Sequence, residues 1–195
     1  MSIFTGAPPV RVLALWGSLR ADSSNTAPLR AALALVPSGL TTSTSQPLAL
    51  PLFDEELETC DAPEAVRHLK SVAQAADASL IATPEYRASV TGVLKDALDW
   101  LLRPTRGEQF RAKPAAILGG SPSLVGTARM QAPPHLAAPD SPRLSFSRRR
   151  RRRASSPPAN AYLSSPIPID ASGSPPFWRR LASSRGRKPS WQKAA

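Results

Sequence analysis

Hydroxyls, an amide and one guanidinium crowd a nine-residue stretch, Gly17-Ser18-Leu19-Arg20-Ala21-Asp22-Ser23-Ser24-Asn25. Ser18, Ser23, Ser24 and Asn25 are neutral hydrogen-bond donors, and Arg20 is a charged, forked one. The stretch lies between a short apolar run and a helix start. Helix N-termini present unpaired N–H groups and partial positive charge, which suits a phosphate. Neither G-x-G-x-x-G nor G-x-x-x-x-G-K-[ST] occurs, so a dinucleotide fingerprint and a P-loop are both excluded. A hydroxyl-rich loop of this kind fits a monophosphate better than a pyrophosphate. The same residues also read as a plain polar loop with a good helix cap.

Two further stretches have the right chemistry for a planar ligand. In Thr83-Pro84-Glu85-Tyr86-Arg87-Ala88-Ser89, Tyr86 offers a flat apolar face to an aromatic ring, and backbone N–H groups are free to meet ring nitrogens and carbonyls. In Gly119-Gly120-Ser121-Pro122-Ser123-Leu124-Val125-Gly126, paired glycines let backbone approach a ring closely, or simply make a turn. No Ser/His/Asp or paired-carboxylate constellation appears. Cys60 is the only cysteine, has no C-x-x-C partner, and reads as an ordinary loop cysteine; His68 and His135 are isolated.

Positioning these stretches falls to an alternation of strands and helices. Val10–Leu15 is a short apolar run ending at Gly17, a buried strand. Asn25 or a neighbouring serine caps a helix to about Leu35, with Pro28 tolerated in its first turn. Thr41–Gln46 is a β-branched second strand. Pro47–Leu57 is a loop. Pro63 opens a helix to about Ala76, with Val66, Leu69, Val72, Ala73 and Ala76 on one face. Ser79–Ala82 is a third strand, stopped at Thr83-Pro84. Val90–Leu102 is a third helix, with Val90, Val93, Leu94, Ala97, Leu98 and Leu101 as its stripe. Ala115–Leu118 is a fourth strand. The order β-α-β-α-β-α-β predicts an α/β fold with a parallel sheet covered on both faces. Ligands of such sheets sit beyond the carboxyl ends of the strands. All three stretches fall at that edge, and together they describe a pocket for flavin mononucleotide (FMN).

The segment also resembles a family. Gly17, Ser18, Arg20, Ser23 and Asn25 match the opening pattern G-S-x-R-x-x-S-x-N of the NADPH-dependent FMN reductases, the flavodoxin-like group that includes quinone, azo-dye and chromate reductases. Pro51–Leu57 is similar to that family's loop after the second strand. Pro84–Leu101 is similar to its P-E-Y-N-x-S-x-x-G-x-L-K-N-A-x-D-W-x signature, and Lys113–Arg129 to its fourth strand and glycine loop. The resemblance implies a flavodoxin-like three-layer sandwich, usually a dimer, that binds FMN and NAD(P)H and passes two electrons to a quinone, azo compound or similar small acceptor. It implies that Ser18, Arg20, Ser23 and Asn25 hold the phosphate. Pro84, Glu85, Tyr86 and Arg87 would line the ring, with Gly119, Gly120 and Ser121 beneath it. The chain departs from the pattern where Arg87 replaces the usual Asn and Ala88 the usual Gly. The Arg87 charge is either solvated or set toward an anionic acceptor such as chromate.

Charge divides the chain. Residues 1–129 hold twelve basic and twelve acidic side chains, so the formal net charge of +11 lies wholly in residues 130–195, where Asp140 and Asp170 are the only acids. The same 66 residues hold eleven of the 22 prolines and six consecutive arginines, Arg148–Arg153. The resemblance stops at Arg129, and Pro133-Pro134 cannot extend a helix. Residues 1–129 therefore read as the reductase domain, truncated after its fourth strand. Residues 130–195 read as a disordered tail, a frameshifted stretch of a GC-rich gene, or a basic arm for polyanions. The Trp178 and Trp191 neighbourhoods look too thin for a core. A raw fourth-strand edge and an uncovered sheet face would follow, with marginal solubility and an inactive remnant as the alternative to an enzyme. No secretory pattern opens the chain, no run reaches the roughly 18 apolar residues that span a bilayer, and a lone cysteine suits a reducing compartment. The expectation is a cytoplasmic protein without specific nucleic-acid or membrane partners.

Overall fold

The computed structural model describes residues 8–20, 23, 25–45, 50–102, 113–121, 127–131, 143–149 and 175–183. Strands β1 (Val10–Trp16), β2 (Leu40–Ser45), β3 (Ala78–Ala82), β4 (Ala115–Ser121) and β5 (Arg143–Arg149) form one parallel sheet in the order β2-β1-β3-β4-β5. Helices α1 (Thr26–Ala34), α2 (Glu55–Cys60), α3 (Glu64–Ala75), α4 (Gly92–Leu102), α5 (Ala128–Gln131) and α6 (Pro176–Ser183) flank it. This is the flavodoxin-like strand order. The chain reverses direction across the sheet between β1 and β3, which leaves a crevice above their carboxyl ends.

Alternation along each strand divides the core into two layers. Leu13, Leu15, Ile81 and Ile117 meet Leu69 and Ala73 of α3 and Leu94, Ala97, Leu98 and Leu101 of α4. On the other face, Val12, Ala14, Leu80, Ala82, Ala116 and Leu118 meet Leu29 and Ala32 of α1 and Phe177, Trp178 and Leu181 of α6. β3 is buried at every position, as an interior parallel strand must be. β2 is an edge strand, and Thr41–Thr44 are exposed. Asp77 fixes the register of β1 and β3. Its N–H donates to Arg11 O at 2.7 Å, and its Oδ2 accepts from Arg11 N at 2.9 Å.

Four parallel strands and their helices stand where the spacing predicts. The sheet then goes one strand further than the sequence reading, because β5 pairs with β4 from Ala115↔Arg143 to Ser121↔Arg149. The edge of β4 is therefore paired. The face expected to lie bare is covered by α6, where Trp178 is fully buried and its indole N–H donates to Ala32 O at 3.2 Å. The Trp178 neighbourhood is a real core after all: Phe177, Trp178 and Leu181 are brought together by one short helix. Residues 132–142, 150–174 and 184–195, with Trp191 and Arg150–Arg153, lie outside the described residues, as does the question of their disorder.

The stretch expected to be loop through Leu57 contains α2. Asp54 begins it, accepting from Glu56 N at 2.8 Å, and Cys60 is its exposed last residue rather than a loop cysteine. The segment before α2 is pinned to α4. Trp100 Nε1 donates to Pro51 O at 2.9 Å, Phe53 N donates to Asp96 Oδ1 at 2.6 Å, and the Phe53 and Trp100 rings meet edge-on at 4.9 Å. Among the described residues no helix is long and apolar enough to cross a membrane, and no group of side chains could hold a metal ion.

Candidate functional site

The loops after β1, β3 and β4 leave the sheet at the same edge and are bonded to one another. Gly17 N donates to Ala82 O at 2.9 Å, and the Thr91 hydroxyl, just before α4, donates to Gly17 O at 2.6 Å. A Cβ on Gly17 would stand 2.6 Å from Thr91 Oγ1 and 2.9 Å from Thr83 Oγ1, so only glycine lets the first two loops pack this closely. Across the crevice Asn25 Oδ1 accepts from Gly120 N at 2.7 Å, joining the first loop to the third. Glu85 joins the second to the third. Its carboxylate, 5% exposed, accepts from Arg129 Nε and from Met130 N, both at 3.1 Å. Met130 is in the first turn of α5, so this acid also caps a helix N-terminus.

At the phosphate-like loop, Ser18, Ser23 and Asn25 are buried and Arg20 is exposed. Ser18 Oγ accepts from Arg20 N at 3.4 Å, and Ser23 Oγ from Asn25 N at 3.2 Å. Ser23 O accepts the first helical N–H groups, from Thr26 at 3.1 Å and Ala27 at 3.3 Å. The expected cap is different in detail. Asn25 occupies the N-cap position, but its side chain makes no cap bond, because its amide oxygen serves Gly120 instead. Thr26 is a residue the sequence reading passed over. It begins α1, is 8% exposed, and its hydroxyl has no hydrogen-bond partner among the described residues. Leaving a buried hydroxyl unbonded costs about 1–3 kcal/mol. A donor in that situation at a helix N-terminus suits an anionic oxygen, and this donor set of hydroxyls and backbone N–H groups fits a phosphate monoester.

The second loop is a tight hairpin. Tyr86 N donates to Ser89 O at 2.9 Å and Ser89 N to Tyr86 O at 3.0 Å, with Arg87 at φ 54° and Ala88 at φ 62° between them. Positive φ at both central residues is the type I′ turn, which favours Asn-Gly. The Asn and Gly of the resembling pattern therefore serve backbone geometry, and Arg-Ala keeps the turn under strain. Pro84 is buried, Tyr86 is 53% exposed, and Arg87 is exposed at the tip. In the third loop Gly119 is buried against Thr127. A Cβ there would stand 2.2 Å from Thr127 Oγ1. Gly120 and Ser121 are half-buried and end β4. Residues 122–126 of that loop, like Ala21, Asp22 and Ser24 of the first, lie outside the described residues.

The edge assembled here is matched by a family model. That of the NADPH-dependent FMN reductases matches residues 10–140, which span all three loops. The chain belongs to this family. Among curated relatives, it is 45% identical over 122 residues to an NAD(P)H-dependent FMN reductase of Pseudomonas aeruginosa, which covers 63% of this chain and 65% of that protein. It is 39% identical over 122 residues to a 2-hydroxy-1,4-benzoquinone reductase of a Burkholderia species, covering 63% of this chain and 66% of that one. The chain thus spans just under two thirds of the length of these reductase relatives. Among solved structures, it is similar to FerB, a flavoenzyme NAD(P)H:(acceptor) oxidoreductase from Paracoccus denitrificans, with 30% identity, a TM-score of 0.62, and coverage of 91% of this chain and 92% of that one. Within this reductase family fold, Thr91 and Thr26 were the site residues that sequence reasoning missed. Thr91-Gly92 before an apolar stripe was a legible helix-start signal, whereas nothing in the sequence marks the unbonded Thr26 hydroxyl.

Proposed function

We propose that the chain is an NAD(P)H-dependent, FMN-containing oxidoreductase that passes two electrons to a quinone, azo compound or similar small acceptor. The Asn25–Gly120 hydrogen bond carries the reading, because it closes the first loop onto the third and makes one crevice of three stretches. In this reading Ser18, Arg20, Ser23 and Asn25 hold the phosphate, and Thr26 adds its unbonded hydroxyl. Pro84, Glu85, Tyr86 and Arg87 form the ring-facing turn, and Gly119, Gly120 and Ser121 form the floor. Bound FMN supplies the two-electron chemistry. The chain's own residues bind and orient. The hairpin at Tyr86–Ser89 presents backbone to the ring edge, and Glu85 holds that hairpin against α5 rather than acting as an acid or base. The overall reaction turns NAD(P)H, a proton and a quinone into NAD(P)+ and the hydroquinone.

The names of the relatives support the same reading for their own proteins. A cytoplasmic homodimer is part of the proposal. Titration of the purified chain with riboflavin 5′-phosphate, followed by NADPH oxidation with and without benzoquinone, tests it. Saturable flavin binding and quinone-dependent oxidation are expected. Binding without turnover would make the chain a flavin-binding remnant. An unchanged flavin spectrum and melting temperature at saturating flavin would overturn the proposal.

A further inference from the structure

We propose that Arg87 makes the site select anionic electron acceptors. The inference rests on the reductase reading and concerns which acceptors it takes. A type I′ turn needs no arginine; at its first central position an asparagine is easier. Here a long cationic side chain is kept at φ 54°, on a turn fixed by two backbone hydrogen bonds. Backbone strain that persists at the mouth of a site points to a role for the side chain held there. Arg87 is exposed and has neither an ion pair nor a hydrogen bond among the described residues. Glu85, two residues away, does not neutralise it, because its carboxylate is taken by Arg129 and Met130 N–H. Tyr86, 53% exposed, lies next to it.

The surrounding edge has the same sign. The described parts of the loops after β1 and β3 carry Arg20 and Arg87 against Glu85 alone, and Glu85 is paired with Arg129 of α5. The acidic run Asp54–Glu56 begins α2, and its carboxylate Asp54 is occupied as the cap of that helix, accepting from Glu56 N at 2.8 Å. A planar acceptor that carries a sulfonate or carboxylate meets in this turn a ring face on Tyr86 and a forked cation on Arg87. Desolvation of the acceptor against Tyr86 strengthens the pairing, and the fixed turn lowers its entropic cost.

The test compares naphthoquinone sulfonate with unsubstituted naphthoquinone as acceptors for the FMN-loaded chain and for its Arg87→Gln and Arg87→Lys variants. The ratio of kcat/KM for the sulfonate to that for the neutral quinone is expected to fall about three- to tenfold in R87Q. R87K, which retains the charge, is expected to stay within about twofold of the original ratio. Equilibrium dialysis of naphthoquinone sulfonate without NADPH gives a readout independent of turnover. Its affinity for the unmodified protein is expected to weaken with salt, and R87Q to lose most of that dependence. An R87Q ratio equal to the original overturns the inference, as does an equal loss for both quinones. Should R87Q fail to fold, a salt-independent sulfonate affinity in the unmodified protein overturns it instead. Failure of the unmodified protein to reduce either quinone counts against the reductase reading itself.

Discussion

The hairpin after β3 holds two side-chain-bearing residues in the left-handed region, Arg87 at φ 54° and Ala88 at φ 62°, and this fixes the sign of a substitution. An L-residue in that region costs about 1–2 kcal/mol, because its Cβ crowds the following carbonyl. Glycine has no Cβ but loses more backbone freedom on folding, which costs about 0.5–1 kcal/mol relative to alanine. At mid-range values the difference leaves Ala88→Gly stabilising by about 0.75 kcal/mol. At an ordinary position the same exchange has the opposite sign. Ala31, inside α1, is the control: Ala31→Gly is expected to cost about 1 kcal/mol.

Urea unfolding followed by far-UV circular dichroism measures both variants. In thermal unfolding a gain of this size raises Tm by about 1–4 °C for a chain of this length. Ala88→Val moves the other way, since a β-branched residue tolerates positive φ least. Turn geometry also predicts undiminished riboflavin 5′-phosphate binding by Ala88→Gly, because the substitution relieves strain without moving the turn. Destabilisation of Ala88→Gly by as much as Ala31→Gly would refute the strained turn and, with it, the argument that Arg87 is kept at a cost.

Gly119→Ala is expected to destabilise by about 1–3 kcal/mol, since its Cβ would stand 2.2 Å from Thr127 Oγ1; Thr127→Gly in the same chain should restore part of the loss in urea unfolding. Asn25→Leu leaves Gly120 N–H without its 2.7 Å acceptor, so a loss of about 1–3 kcal/mol is expected together with weaker flavin binding by fluorescence titration. Trp178→Ala is expected to cost about 3–5 kcal/mol and to reduce the near-ultraviolet indole signal to that left by the other tryptophans, buried Trp100 among them; a neutral result would show that α6 does not dock. Lys113 sits below the ordinary lysine value of 10.5, chiefly through burial, with Asp77 opposing and Arg11 assisting. The unfolded chain then binds more protons than the folded one just below 10.5, so stability relative to Lys113→Met should rise with pH toward that value. A flat difference between the two in alkaline urea titrations would contradict this.

What the sequence made legible was what repeats. Val10–Leu15, Ser79–Ala82 and Ala115–Leu118 are short, largely apolar runs, Thr41–Gln46 is β-branched and alternating, and α3 and α4 show one-sided stripes, so four strands and the helices between them could be read from local pattern. The three chemical loops followed, since a parallel sheet must release them at its carboxyl edge. The misses are contacts that periodicity does not encode. α2 is six residues long and is held by an Asp54 cap, too short to show a stripe. The Trp178 neighbourhood looks too thin for a core because Phe177 and Leu181 are its few apolar companions in sequence, yet its further partners are Leu29, Ala32 and the sheet, far away along the chain. Arg143–Arg149 has no apolar run at all. It pairs with β4 through backbone, which any side chain permits.

The same distinction explains the site. Ser18, Ser23 and Asn25 could be named from their chemistry, but the use of each depends on a partner far along the chain or on local geometry. Asn25 looked like a helix cap and is a bridge, because Gly120 N–H, ninety-five residues away, has the stronger claim on its oxygen. Glu85 could be named for its place in the turn, but not as a brace for α5, because its partners Arg129 and Met130 lie more than forty residues away. Arg87 looked like a departure from the expected Asn, and only its dihedral angle turns that departure into an argument. The turn itself wants Asn-Gly, so a charge that persists there against backbone preference asks for an explanation outside the fold. An anionic acceptor supplies one that ionic strength can take away.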